Sequence, residues 1–124
     1  MKFDAKDPPR RYEFNGVTLR DCGAMRLAPD EQITFVTDSG AEYDVTRKEW
    51  GFYATPSLNS RLARMGLRGA LVHNPNGKLF VMLVEAGREA SFQAYLDRES
   101  CRVVAWLDTD AAVDGLLAKL DKDT

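Results

Sequence analysis

The chain has one histidine and two cysteines among 124 residues, and that scarcity removes several chemistries at the start. Cys22 and Cys101 lie far apart and belong to no C-x-x-C or Cys/His ligand spacing, so there is no zinc pattern. They read as two reduced thiols, because spacing supplies none of the geometry that a disulfide needs. Asp108-Thr109-Asp110 lacks the glycine-bearing loop of a calcium site behind it and reads as a helix cap. No metal and no cofactor is therefore expected. His73 is the lone histidine, the residue type most often used as a general acid or base. No G-x-S-x-G elbow or other nucleophile signature accompanies it, and its place before Asn74-Pro75-Asn76-Gly77 marks it as a surface strand end. Glu85 and Glu89 read as ordinary solvated acids at a strand–helix junction. No catalytic residue is nominated. No apolar run approaches the length of a membrane span. Residues 1–10 hold no apolar segment of a secretory signal, so a cytoplasmic location is expected.

What is present is an ordinary soluble composition with an uneven charge. Apolar residues make up 44% and charged residues 29%, the proportions of a globular domain. The isoelectric point near 5.4 argues against a general nucleic-acid binder. Yet residues 47–78 carry six Lys/Arg against one acid, Glu49, whereas residues 1–46 carry six against nine and residues 79–124 five against nine. A cationic middle in an acidic chain points to an anion-binding face.

Periodicity gives the fold class. Residues 1–11 are charged, contain Pro8-Pro9, and read as a flexible N-terminal arm; residues 12–124 read as a single α+β domain. Tyr12–Phe14 and Val17–Leu19 flank Asn15-Gly16, a hairpin signal. Ile33–Thr37, Asp38-Ser39-Gly40 and the alternating Ala41–Thr46 form a second hairpin, and Trp50–Tyr53 extends as a further strand. Thr55-Pro56 opens a helix over 56–65, with Leu58, Leu62 and Met65 on its buried stripe and Gly66 as its stop. Leu67–His73 and Lys78–Glu85 flank Asn74-Pro75-Asn76-Gly77. Their apolar runs are those of central strands. A helix over 87–98 with Phe92, Tyr95 and Leu96 inward is long enough to cross over between parallel strands. Arg102–Leu107 is the last strand. A C-terminal helix follows, with Val113, Leu116, Leu117 and Leu120 on one side. The whole is a twisted mixed sheet, mostly antiparallel, built from hairpins and packed against about three helices.

The candidate ligand-binding residues gather in the cationic middle. The first turn of a helix over 56–65 offers unpaired N–H groups and partial positive charge. Thr55, Ser57 and Asn59 add hydroxyl and amide groups there. Arg61, Arg64 and Arg68 recur at i, i+3 and i+7, on one face, where guanidinium forks hold phosphate or carboxylate. Trp50 and Tyr53 supply planar surfaces for a sugar or base. The same residues also have an ordinary reading: a capping turn, solvated arginines and core aromatics.

The run Glu49-Trp50-Gly51-Phe52-Tyr53-Ala54-Thr55-Pro56-Ser57-Leu58-Asn59-Ser60-Arg61-Leu62, with Ala70-Leu71-Val72 and Val81–Glu85 after it, resembles a group of short uncharacterised bacterial proteins linked to surface-polysaccharide and methyltransferase genes. The similarity spans about Tyr43 to Leu107. It implies no catalytic residue and turns the ligand expectation toward sugar phosphates and nucleotide sugars.

The expected role is a small non-catalytic binding or accessory module, with an anion-binding face around residues 50–68 that meets an anionic small molecule or an acidic protein partner. One alternative is an enzyme on a phosphorylated sugar or nucleotide sugar, with His73 or Tyr53 moving a proton. Another is a homodimeric interaction module built through an exposed strand, which requires an apolar edge or patch. Nucleic acid and membrane are not expected partners.

Overall fold

The computed structural model describes residues 1–121; the last three residues of the domain expected over 12–124 lie outside them. The architecture is α+β, with antiparallel sheets and three helices among the described residues. Contacts divide the chain into two compact units. The first holds residues 1–33 and 45–53, and the second holds 34–44 and 54–124. No boundary falls at residue 11.

The first unit contains strands β1 (Lys2–Phe14) and β2 (Val17–Arg26), which form a two-stranded antiparallel sheet. The arm expected over residues 1–11 is thus nearly all strand. Its charges are cross-strand partners: Arg26 donates to Asp4 at 2.7 Å, and Lys6 and Arg10 converge on Asp21. Pro8-Pro9 fits because the register skips from Ala5, opposite Gly23, to Arg10, opposite Asp21. The prolines therefore sit where no ladder N–H is required. The Asn15-Gly16 turn is as expected, with φ of 51° and 79°.

A second sheet has the order β3-β4-β5, made of Gln32–Val36, Glu42–Lys48 and Gly51–Ala54. The Asp38–Gly40 turn is closed by bonds from Thr37 N to Ala41 O and from Gly40 N to Thr37 O. In β4 the polar side of the alternation supplies a buried residue. Asp44 is only 7% exposed because Thr34 Oγ1 donates to it at 2.6 Å and the Arg61 guanidinium pairs with it.

The second unit holds the sheet of order β7-β6-β8, from Leu79–Glu85, Leu67–His73 and Arg102–Trp106. β6 is antiparallel to both neighbours. β7 and β8 therefore run the same way on either side of it, joined by helix α2 (Glu89–Glu99). The crossover expected between parallel strands is present, with β6 between them. β6 is central as expected, whereas β7 is an edge strand.

Helix α1 is the largest departure from the sequence expectation. It covers only Arg61–Arg64, a single turn, and Pro56 is buried ahead of it instead of opening a helix. Arg68 belongs to β6. Leu62 is fully buried with Ala41 and Leu67, and Leu58, Leu83 and Tyr43 pack against that group. Gly69 permits this approach, since a Cβ there would lie 2.7 Å from Leu58 Cδ2. On the opposite sheet face Ala70, Val72 and Leu96 are buried, packed by Met82, Phe92, Cys101, Val103 and Trp106. Tyr95, expected inward, is 39% exposed and lies under the Arg98 guanidinium. Helix α3 (Asp110–Asp121) buries no residue.

Candidate functional site

The eight candidate residues fall in different units, with Trp50 and Tyr53 in the first and the other six in the second. Trp50 is 72% exposed and Tyr53 44%, their rings 6.2 Å apart and tilted by 32°. Exposed planar rings are what a stacking platform needs, although the ring pair already shields part of each face.

In the second unit the polar groups of the 55–60 segment are largely occupied by the chain itself. Ser57 Oγ accepts from Arg61 N at 3.0 Å, and Ser57 O accepts from Leu62 N at 3.0 Å. The N–H groups that a longer helix would have offered to an anion are thus taken locally. A single turn also sums too few peptide dipoles to act as an anion site. Asn59 Nδ2 donates to Asp110 Oδ1 at 2.9 Å. Thr55 N donates to Asp44 O, and Thr55 Oγ1 is buried without a partner.

The three arginines divide two against one. Arg61 is paired with buried Asp44. Arg68 lies 4.1 Å over the Trp106 ring, donates through Nε to Asp108 Oδ2 at 2.6 Å and reaches Glu89 at 3.4 Å. Its pKa is raised, chiefly by the Asp108 hydrogen bond. Asp108 is therefore drawn away from helix capping, and Thr109 Oγ1 caps α3 by accepting from Ala112 N at 3.1 Å. Arg64 is exposed; it hydrogen-bonds the neutral Ser60 hydroxyl at 3.3 Å and has no ion pair among the described residues. Arg61 and Arg68 are thus ion-paired, and Arg64 forms no ion pair among the described residues.

Arg64 lines a cavity of about 400 Å³ with Ser39, Ala41, Glu42, Gly66 and Glu85. The cavity forms where the β3–β4 turn, the end of α1 and the end of β7 meet, tied by bonds from Glu42 N to Met65 O and from Ala86 N to Gly66 O. Gly66 has a φ of 88°, and a Cβ there would lie 3.4 Å from the Ala41 Cβ. A side chain would strain the turn and crowd the floor. Glu85 Oε2 accepts from Ser39 Oγ at 2.8 Å. Hydrogen bonds from the Thr37 and Ser39 hydroxyls hold its pKa below the ordinary glutamate value, so it is ionised at neutral pH. Sequence reading missed Ser39, Glu42 and Gly66 here, since each belongs to a turn or strand that carries no motif.

His73 ends β6, five residues from Arg68. At about 3.3 Å per residue that is roughly 17 Å along the strand, too far for the two to share a hollow. Cys22 and Cys101 are free thiols. Among the described residues no group of three His, Cys, Asp or Glu side chains could hold a metal, and no helix is long and apolar enough to cross a membrane. Comparison with protein-family models, curated proteins and solved structures finds no match.

Proposed function

We propose that the chain is a small non-catalytic binding module and that its site is the hollow lined by Arg64, Glu42 and Glu85. Its ligand is a small molecule carrying both a carboxylate and an ammonium, the pattern of a free amino acid. The observation that carries this reading is charge pairing. Of the three arginines, Arg61 and Arg68 are ion-paired with carboxylates outside the cavity lining, whereas Arg64, which has no ion pair among the described residues, lines a cavity. The two carboxylates on the same lining oppose a sugar phosphate, which would meet two negative groups for one positive. They favour a ligand whose ammonium answers Glu85 and Glu42 while its carboxylate meets Arg64. The cavity falls within the size range of small-molecule sites. Free thiols suit a reducing compartment, and a cytoplasmic setting belongs to the same proposal.

A thermal-shift panel tests it, with free amino acids, acetate, methylamine, inorganic phosphate, a sugar phosphate and a nucleotide sugar. At a hundred times Kd a true ligand stabilises by about 2.7 kcal/mol. Amino acids are expected to shift wild type and to lose that shift in Arg64→Ala and Glu85→Gln. Arg64 is exposed, so its replacement should leave the unliganded stability within about 0.5 kcal/mol. A shift with inorganic phosphate or the sugar phosphate but none with amino acids would return the site to the anion class. No shift with any compound would remove the reading.

A further inference from the structure

β7 is an edge strand composed like a core strand. Leu79-Phe80-Val81-Met82-Leu83-Val84-Glu85 has no proline and no charge before its last residue. Its ladder with β6 runs unbroken from Leu67 opposite Glu85 to His73 opposite Leu79. Leu79, Phe80 and Val81 are 61%, 47% and 59% exposed. Natural edges of this kind are normally blunted by charge, proline or a bulge, and this one carries none of them.

The direction of its free backbone groups follows from the ends of the ladder. Asn74 N donates to Lys78 O at 2.9 Å, and Ala86 N donates to Gly66 O at 3.0 Å. Antiparallel ladders alternate bonded and non-bonded pairs. The even residues of β7 therefore turn their N–H and C=O toward β6, and Leu79, Val81 and Leu83 turn theirs to the open edge. No strand among the described residues pairs with that edge.

We infer that the edge is occupied by a second copy of this chain, β7 pairing antiparallel with β7 about a twofold axis at Val81. In this register Leu79 bonds with Leu83 of the other copy, and Val81 bonds with its own counterpart. Leu79, Val81 and Leu83 of each copy are satisfied, while the C=O of Glu85, the fourth residue of that parity, already accepts from Arg88 N. The leucine and valine side chains of both copies line one sheet face. No like charges meet, since Glu85 falls opposite Gly77 and Lys78 opposite Val84. The interface is isologous, as a twofold requires. It is also closed: the outer edges of the six-stranded product would be β8, which is five residues long, begins with Arg102 and has a register shift opposite Leu71/Val72. A bulged, short, charged edge resists further addition, so assembly stops at two. This inference is independent of the ligand site.

Light scattering after size exclusion, combined with a charge-swap pair, tests it. Wild type is expected at twice the 13.9 kDa chain mass. Val81→Lys and Val81→Glu, each placing like charges across the axis at an exposed position, are expected as monomers. An equal mixture of the two is expected to recover the dimer. Backbone amide exchange adds a second readout. The Leu79, Val81 and Leu83 amides are protected in wild type and exchange in Val81→Lys, while those of Phe80 and Met82 are protected in both. A wild type that stays monomeric at several hundred micromolar overturns the inference. So do variants that remain dimers, which would put the interface elsewhere, and a mixture that stays monomeric, which would deny the pairing of Val81 with itself.

Discussion

β6 and β7 are adjacent and equal in length, yet their environments are opposite. Ala70 and Val72 of β6 are completely buried, whereas Phe80, the residue of β7 in register with Val72, is 47% exposed. β6 carries Arg68 and His73 where β7 has only Glu85 as a polar residue, so composition alone would make β7 the more buried of the two. Position reverses that order. β6 has a strand on each side and a packed cluster on each face, with Leu62 and Leu58 on one and Leu96 on the other. β7 has a strand on one side only. An apolar strand thus signals that something must cover it, without saying whether the cover lies in the same chain.

The largest expected break in this comparison is at the packed end of the sheet. Leu62→Ala removes a fully buried side chain from the Ala41/Leu67 cluster and should lower stability by about 2–5 kcal/mol. Val81→Ala, on the open strand, should change the unfolding free energy of the monomer by no more than about 0.5 kcal/mol. Urea denaturation of both variants at low protein concentration measures the contrast. Equal losses would mean that β7 is already covered within one chain.

The next effect tests the backbone of β6. Gly69→Ala drives a methyl to within 2.7 Å of Leu58 Cδ2 and should cost about 1–3 kcal/mol as overpacking. Gly115→Ala in α3 has the opposite sign. Nothing lies within 4 Å of the added Cβ, and removing a glycine from a helix interior should stabilise by up to about 1 kcal/mol. Melting temperatures of the two variants should move in opposite directions. A rise for Gly69→Ala would mean that the close approach of Leu58 to β6 is not needed.

Local turn chemistry is legible in the sequence, and long-range pairing is not. The hairpins around Asn15-Gly16, Asp38–Gly40 and Asn74–Gly77 were legible because turn chemistry is local: Asn74 Oδ1 accepts from both Asn76 N and Lys78 N. The strand over residues 2–11 was not, because Pro8-Pro9 and a run of charges look like a tail until Asp21 and Arg26 are known to lie across the ladder from them. The helix over 56–65 failed for a related reason. Thr55-Pro56-Ser57 has the pattern of an N-terminus, but Thr55 N is bonded to Asp44 O and Pro56 is buried at a bend, so no helix begins there. For the candidate site, the cationic run was visible and its neutralisation was not. Asp44, Asp108 and Glu89 lie 17, 40 and 21 residues from the arginines they meet, and no local pattern connects them. Only the exposed position of Arg64 distinguishes it, and exposure is a property of the packing.

The smallest effect sharpens the contrast within β7 itself. Its open end, Leu79–Val81, has no titratable group, whereas its closed end is tied by Glu85 to Ser39 Oγ. The folded-state pKa of Glu85 lies below the ordinary glutamate value of 4.5, first through the Thr37 hydroxyl and then through that of Ser39. A carboxylate whose pKa is depressed on folding contributes stability that is fully present above the unfolded value and is lost as pH falls through the folded one. The stability difference between wild type and Glu85→Gln should therefore be constant from pH 7 to about 5 and shrink as pH falls below 4.5. Asp21, Glu31 and Glu89, also depressed, change in both proteins and cancel in the difference. Urea midpoints collected between pH 7 and 3 check this. A difference that grows in acid would mean that folding raises the Glu85 pKa and that the hydroxyls do not hold this end of the strand. A flat difference would mean that only the open end of β7 distinguishes it from β6.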